Sequence, residues 1–127
     1  MDNLHIEPTK SSPRVSFDCH RHVLEIVGES YPEDAHLFYR PVFDWLNDYL
    51  AQLGEETVQV KVDVSYFNSS CSKVFMDLFE LLDDQVQNGK SIEVYWISHE
   101  ENDMGIECGE EFKECVVALP IHITIRS

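Results

Sequence analysis

Residues 58 to 65 read Val-Gln-Val-Lys-Val-Asp-Val-Ser, and no other feature of the chain narrows the choice of fold so far. Successive side chains of a strand point to opposite faces, so Val58, Val60, Val62 and Val64 share one face while Gln59, Lys61, Asp63 and Ser65 share the other. A helix would scatter the same valines around its circumference. The segment is therefore a strand with one dry and one wet face, and the dry face needs a covering layer. The alternation recurs in Val15-Phe17-Cys19, Leu24-Ile26, Ile92-Val94-Trp96 and Leu119-Ile121-Ile123-Ile125. Together these runs predict a sheet covered mainly on one side.

Between the strands the period changes. Phe38, Val42, Trp45, Leu46, Tyr49, Leu50 and Leu53 follow helical spacing, and Ser30-Tyr31-Pro32-Glu33 reads as a capping box that starts this helix. Pro41 falls inside it and is expected to kink it. A second helix is predicted from about Ser69 to Asn88, with Val74, Phe75, Leu78, Leu81, Leu82 and Val86 inward and Asn88-Gly89 as its stop. Met104, Cys108 and Phe112 mark a third, shorter one, weakened by Gly105 and Gly109. His20-Arg21 turns the first hairpin, and the later strand-helix-strand units favour parallel neighbours. The chain, at 127 residues, holds one hydrophobic core. The expected class is α/β: a single two-layer domain over residues 1–127, with a mixed sheet of five to six strands and helices mainly on one face.

Charge removes several functions. With 24 acidic against 9 basic residues the net charge is −15, which repels nucleic acid and anionic lipid surfaces. No apolar run approaches the length that crosses a bilayer, and the first residues carry no signal-like apolar core, so the cytoplasm is the expected compartment. Cys19, Cys71, Cys108 and Cys115 contain no Cys-x-x-Cys pair and read as reduced, small core residues. His20 with His22, or His99 with Cys108 and Cys115, have no metal-ligand spacing. No cofactor is implied. The segment 100–114 is acidic but lacks the order of a calcium loop, and reads as a solvated face or a contact for a basic partner.

The junction after the valine strand is the chemically suggestive segment. Asn68, Ser69, Ser70, Cys71 and Ser72 crowd the start of the second helix, followed by Lys73. One of them is needed to accept hydrogen bonds from the unpaired N–H groups there. A cap does not call for a cluster, since Ser is a mediocre helix residue. A phosphate on one of these hydroxyls would sit at the positive end of the helix near Lys73, tolerated by the fold and felt by partners. Ser70-Cys71-Ser72-Lys73 also spells the Ser-x-x-Lys of penicillin-recognising enzymes, but no Ser-Asp-Asn or Lys-Thr-Gly accompanies it and the chain is too short for that fold. With no nucleophile-base arrangement elsewhere, catalysis is the weaker class.

Tyr66-Phe67-Asn68-Ser69-Ser70-Cys71-Ser72-Lys73, followed by Asp77-Leu78-Phe79-Glu80-Leu81-Leu82, resembles the signature of the SiaC family of bacterial regulatory phosphoproteins. Gly28-Glu29-Ser30-Tyr31-Pro32-Glu33, Pro41-Val42, Trp45-Leu46 and Gly109-Glu110-Glu111-Phe112 are similar to further blocks of that family, in the same order. The resemblance implies a STAS-like fold of the anti-anti-sigma type and a non-enzymatic role in partner switching. It implies phosphorylation by a cognate Ser/Thr protein kinase and dephosphorylation by a PP2C-type phosphatase, with the unphosphorylated form binding and activating a diguanylate cyclase in cyclic-di-GMP and biofilm signalling. The family's Asn-Thr-Ser-Ser threonine falls on Ser69, and a family serine falls on Cys71. Ser69, with Ser70 as the alternative, is thus the expected phosphoacceptor, supported by Asn68 as cap, Ser70 as neighbouring hydroxyl and Lys73 as counter-charge. The competing expectation is a small α/β ligand-binding or structural interaction module in which the serines only cap the helix.

Overall fold

Nine elements follow one another along residues 1–127 of the structure, a computed structural model: β1 (Leu4–Ile6), β2 (Arg14–Asp18), β3 (Val23–Ser30), α1 (Ala35–Gln52), β4 (Thr57–Phe67), α2 (Ser69–Gln87), β5 (Ser91–His99), α3 (Asp103–Cys115) and β6 (Ile121–Arg126). The six strands form one sheet in chain order, β1-β2-β3-β4-β5-β6. β1, β2 and β3 pair antiparallel through short turns, the second of them at His20 and Arg21. From β3 onward the pairs are parallel, because each connection carries a helix and returns the chain in the same direction. The mixed sheet agrees with the expected class, with three strands before the first helix.

The register lines up the dry faces. Leu24 and Ile26 lie opposite Val60 and Val62, which lie opposite Val94 and Trp96. All six are buried, together with Val15 and Phe17 on β2. The neighbouring row, Glu25, Lys61, Tyr95 and His122, occupies the other face and stays partly or fully exposed, so the helices cover one side only. Trp96 is the hub of that core, with the rings of Phe67, Phe75, Phe79 and Phe112 at centroid distances of 5.7, 5.8, 6.1 and 5.1 Å. No helix is long and apolar enough to cross a membrane.

Several sequence expectations are corrected. α1 starts at Asp34, whose side chain accepts from the Leu37 N–H, and not in a capping box at Ser30. Ser30 ends β3, and its hydroxyl is taken up by Tyr39 in the interior. Pro41 lies inside α1, as expected, and is exposed. α2 has the expected bounds but also buries Cys71, Phe79 and Asp83, while Leu81 and Val86 are only partly covered. In α3 the inward positions are Gly105, Gly109 and Phe112, and Met104 points outward. Leu119 is buried but precedes β6. Of the four free cysteines only Cys71 belongs to the core: Cys19 and Cys108 are half-buried and Cys115 is exposed.

Candidate functional site

A single residue, Asn68, separates the end of β4 from the start of α2. Its backbone is extended (φ −89°, ψ 177°), its side chain accepts from the Cys71 N–H at 3.0 Å, and its carbonyl accepts from the Ser72 N–H at 2.9 Å. Its own N–H donates to the Ser30 carbonyl at 3.2 Å, fastening the helix start to the end of β3. The cap is therefore made by Asn68, as expected, and the serines are not needed for it. The N–H groups of Ser69 and Ser70 precede the first intrahelical bond and belong to the electropositive end of α2.

Helical rotation then sorts the cluster. Cys71 turns inward and is wholly buried; the Ser30 hydroxyl donates to its sulfur at 3.0 Å and lies 2.7 Å from the Tyr39 hydroxyl. Burial pushes both the Cys71 thiol and the Tyr39 phenol above their ordinary pKa values, so the knot joining β3, α1 and α2 is uncharged. Ser69 and Ser70 turn outward and are exposed, Ser72 is half-exposed, and Lys73 is exposed one turn beyond Ser69. The predicted residues thus share one helix end but do not share one surface.

Ser69 opens onto a groove of about 310 Å³ walled by Tyr66, Phe67, Ser72, Asn102 and Met104. Asn102 caps α3 by accepting from the Gly105 N–H at 3.1 Å and donates to the Ser65 carbonyl at 3.2 Å. The starts of α2 and α3 therefore flank the same opening, and no carboxylate lines it. Ser70 lies on the opposite side, in a shallow hollow formed by the start of α1 with Glu33 and Asp34. Exposed apolar side chains occur on both sides: Tyr66 and Met104 at the groove, Leu37 at the hollow. Asn102 and Met104 were missed in the sequence. Asn102 followed by a weak helix was the available signal for the cap, whereas Met104 was assigned inward from its spacing to Cys108.

Local charge sets the site apart from the rest of the molecule. Val64 to Met76 is one of two thirteen-residue stretches without Asp or Glu in a chain of net charge −15. An unmodified Ser69 therefore sits in an acid-free window, with Lys73 its one charged residue, where another acidic protein can approach. A phosphate there would stand at the electropositive start of α2, with no carboxylate among the residues that line the groove.

The profile of the SiaC family of regulatory phosphoproteins matches residues 6–126. An uncharacterized protein of Pseudomonas aeruginosa is 32% identical over 114 residues, covering 90% of each chain. The solved SiaC of Pseudomonas aeruginosa superposes with a TM-score of 0.90 at 30% identity, over 99% of this chain and 100% of that one. A second structure holds the diguanylate cyclase SiaD in complex with its activator SiaC from the same organism; its matching chain has a TM-score of 0.90 at 31% identity, over 97% of this chain and 99% of that one.

Proposed function

Because this chain belongs to the SiaC family of regulatory phosphoproteins, we propose that it is a partner-switching protein whose Ser69 hydroxyl is bare in one state and phosphorylated in the other. The SiaC of Pseudomonas aeruginosa activates the diguanylate cyclase with which it was solved. By that likeness the bare form of this chain docks on and activates a diguanylate cyclase, raising cyclic-di-GMP and acting on biofilm formation. A cognate Ser/Thr protein kinase adds the phosphate and a PP2C-type phosphatase removes it. The chain acts by binding and contributes no chemistry of its own.

The observation that carries this reading is the exposed Ser69 at the first position of α2, beside free backbone N–H groups and a groove without carboxylates. Ser70 is the poorer acceptor on the same grounds, since Glu33 and Asp34 share its hollow and would repel a dianion. Asn68 supplies the cap, which leaves the exposed Ser69 hydroxyl outside that role. The modification acts on docking and not on folding. A phosphate in water at a helix start is favoured by about 0.3 to 1 kcal/mol, whereas one sealed unpaired against a partner costs several.

The test is made on the full chain with a cyclase that co-purifies from its host. Mass spectrometry is expected to place phosphate on Ser69. Ser69→Ala keeps the cyclase and its activation, while Ser69→Asp weakens binding about a hundredfold, the equivalent of about 3 kcal/mol for an unpaired buried charge. Equal binding by both variants, or phosphate found only at another residue, would overturn the assignment.

A further inference from the structure

β6 is the outermost strand on its side of the sheet, and four of its six residues are exposed. The carbonyls of Pro120 and Arg126 accept from the N–H groups of Val94 and Glu100. In a parallel pair alternate residues of a strand address the neighbour, so His122 and Thr124 also turn their backbone groups toward β5. Ile121, Ile123 and Ile125 turn theirs outward, leaving a row of donors and acceptors along the edge. Edge strands in monomeric proteins are usually blunted by Lys, Pro, a bulge or a covering segment. Here the β5–β6 register is unbroken, Pro120 lies before the strand, and Arg126 at its far end is the only fixed charge.

Charge indicates what can pair there. Cys115 to Ser127 is the other thirteen-residue stretch free of Asp and Glu. Two molecules of net charge −15 can bring these segments together without facing Asp or Glu side chains within them. The strand is also complementary to itself. Antiparallel alignment about a two-fold axis at Ile123 sets Ile123 against its own copy and Ile121 against the partner's Ile125, with each outward residue exchanging both backbone bonds. On the other face His122 meets the partner's Thr124 and Arg126 meets the partner's Pro120, so no like charges oppose each other. Ile125, 49% exposed in the single chain, becomes covered.

We propose that β6 is a self-association edge, on which a second copy of this chain adds antiparallel to give a continuous twelve-stranded sheet, twice the six of one chain. None of the residues lining the Ser69 groove lies in the 115–127 segment, so each copy keeps its groove open.

Sedimentation velocity on the full chain, combined with amide hydrogen exchange, tests this. The mass is expected to rise with concentration from 14.7 kDa toward twice that value. Higher salt should tighten the dimer by screening the net charge. Exchange at Ile121, Ile123 and Ile125 should slow as concentration rises, while His122 and Thr124 are protected throughout. Ile125→Pro removes an outward N–H and leaves the β5–β6 ladder intact, so it is expected to remain folded, by circular dichroism, and monomeric. Ile125→Thr keeps that N–H and is expected to dimerise. A wild type that stays monomeric up to about 1 mM, a dimer that survives Ile125→Pro, or slowed exchange centred on another segment would overturn the proposal. So would protection of these amides that appears only when the cyclase is added, which would make the edge a cyclase contact.

Discussion

Cys71 and its neighbours divide the serine cluster by direction: the thiol faces the Ser30 and Tyr39 hydroxyls in the core, while Ser69 and Ser70 face water on different sides of α2. A comparable buried polar contact sits farther along the same helix. Asp83, only 6% exposed, accepts from the N–H groups of Ala118 at 2.7 Å, Leu119 at 2.8 Å and Val117 at 3.2 Å, and from Gln87 at 3.0 Å. Burial would by itself raise its pKa, but the backbone donors outweigh it and hold the carboxyl below the usual carboxylate range. The carboxylate thus clamps the connection that leads into β6. Asp83→Ala leaves the buried Leu119 N–H and those of Val117 and Ala118 without their acceptor, and is expected to cost about 1 to 3 kcal/mol in urea unfolding. A group whose pKa is lowered by folding stabilises above its unfolded value, about 3.9, and loses that contribution as pH falls through the lowered folded value. The acid limb of the stability curve below about pH 4 should therefore be shallower in Asp83→Asn than in wild type. Superimposable acid limbs would remove the ionised clamp from the account.

At the scale of elements, α3 shows where the sequence was legible and where it was not. Strand β4 and helix α2 could be read because their apolar residues repeat with the period of the structure they form, and Asn68 and Gly89 punctuate the ends. Gly105 and Gly109 carry no hydropathic signal, so the inward face of α3 was assigned to Met104 and Cys108. The Trp96 indole in fact lies where those side chains would be. Its N–H donates to the Gly105 carbonyl at 2.8 Å, and a Cβ on Gly109 would overlap its ring and stand 3.0 Å from the Ile123 side chain. Ser30 was misread for a related reason, since a Ser-x-x-Glu pattern is local whereas the hydrogen bond to Tyr39 is tertiary. The separation of Ser69 from Ser70 required knowing that α3 borders one side of α2's start and α1 the other. Gly109→Ala tests the packing. Alanine favours the helix by about 1 kcal/mol, but displacing a hydrogen-bonded indole in a filled core costs about 1 to 3. A net loss of thermal stability is expected, together with a change in Trp96 fluorescence; a gain in melting temperature would mean that the indole yields freely.

For the molecule as a whole, the question is whether a phosphate at Ser69 acts through the general field or at its own place. The chain already carries −15, so about two more negative charges change its distant field by a small fraction. Within the Val64–Met76 window the same group is the first acidic charge, and it arrives at the groove mouth between α2 and α3. On the proposed reading the switch is local: an approaching partner must strip water from a new charge at the groove mouth. Salt separates the two mechanisms. Interactions between exposed charges weaken as the Debye length shrinks from about 10 Å at 0.1 M to about 3 Å at 1 M, whereas the cost of sealing a charge in an interface does not depend on that length. The absolute affinity of wild type for the cyclase should change with salt according to the partner's charge. The ratio of wild-type to Ser69→Asp affinity should hold within about threefold between 0.1 and 1 M salt, measured by titration calorimetry on the same cyclase preparation. A ratio that falls to one at high salt would place the effect in long-range repulsion, and the acid-free window around Ser69 would then have no special role in partner choice.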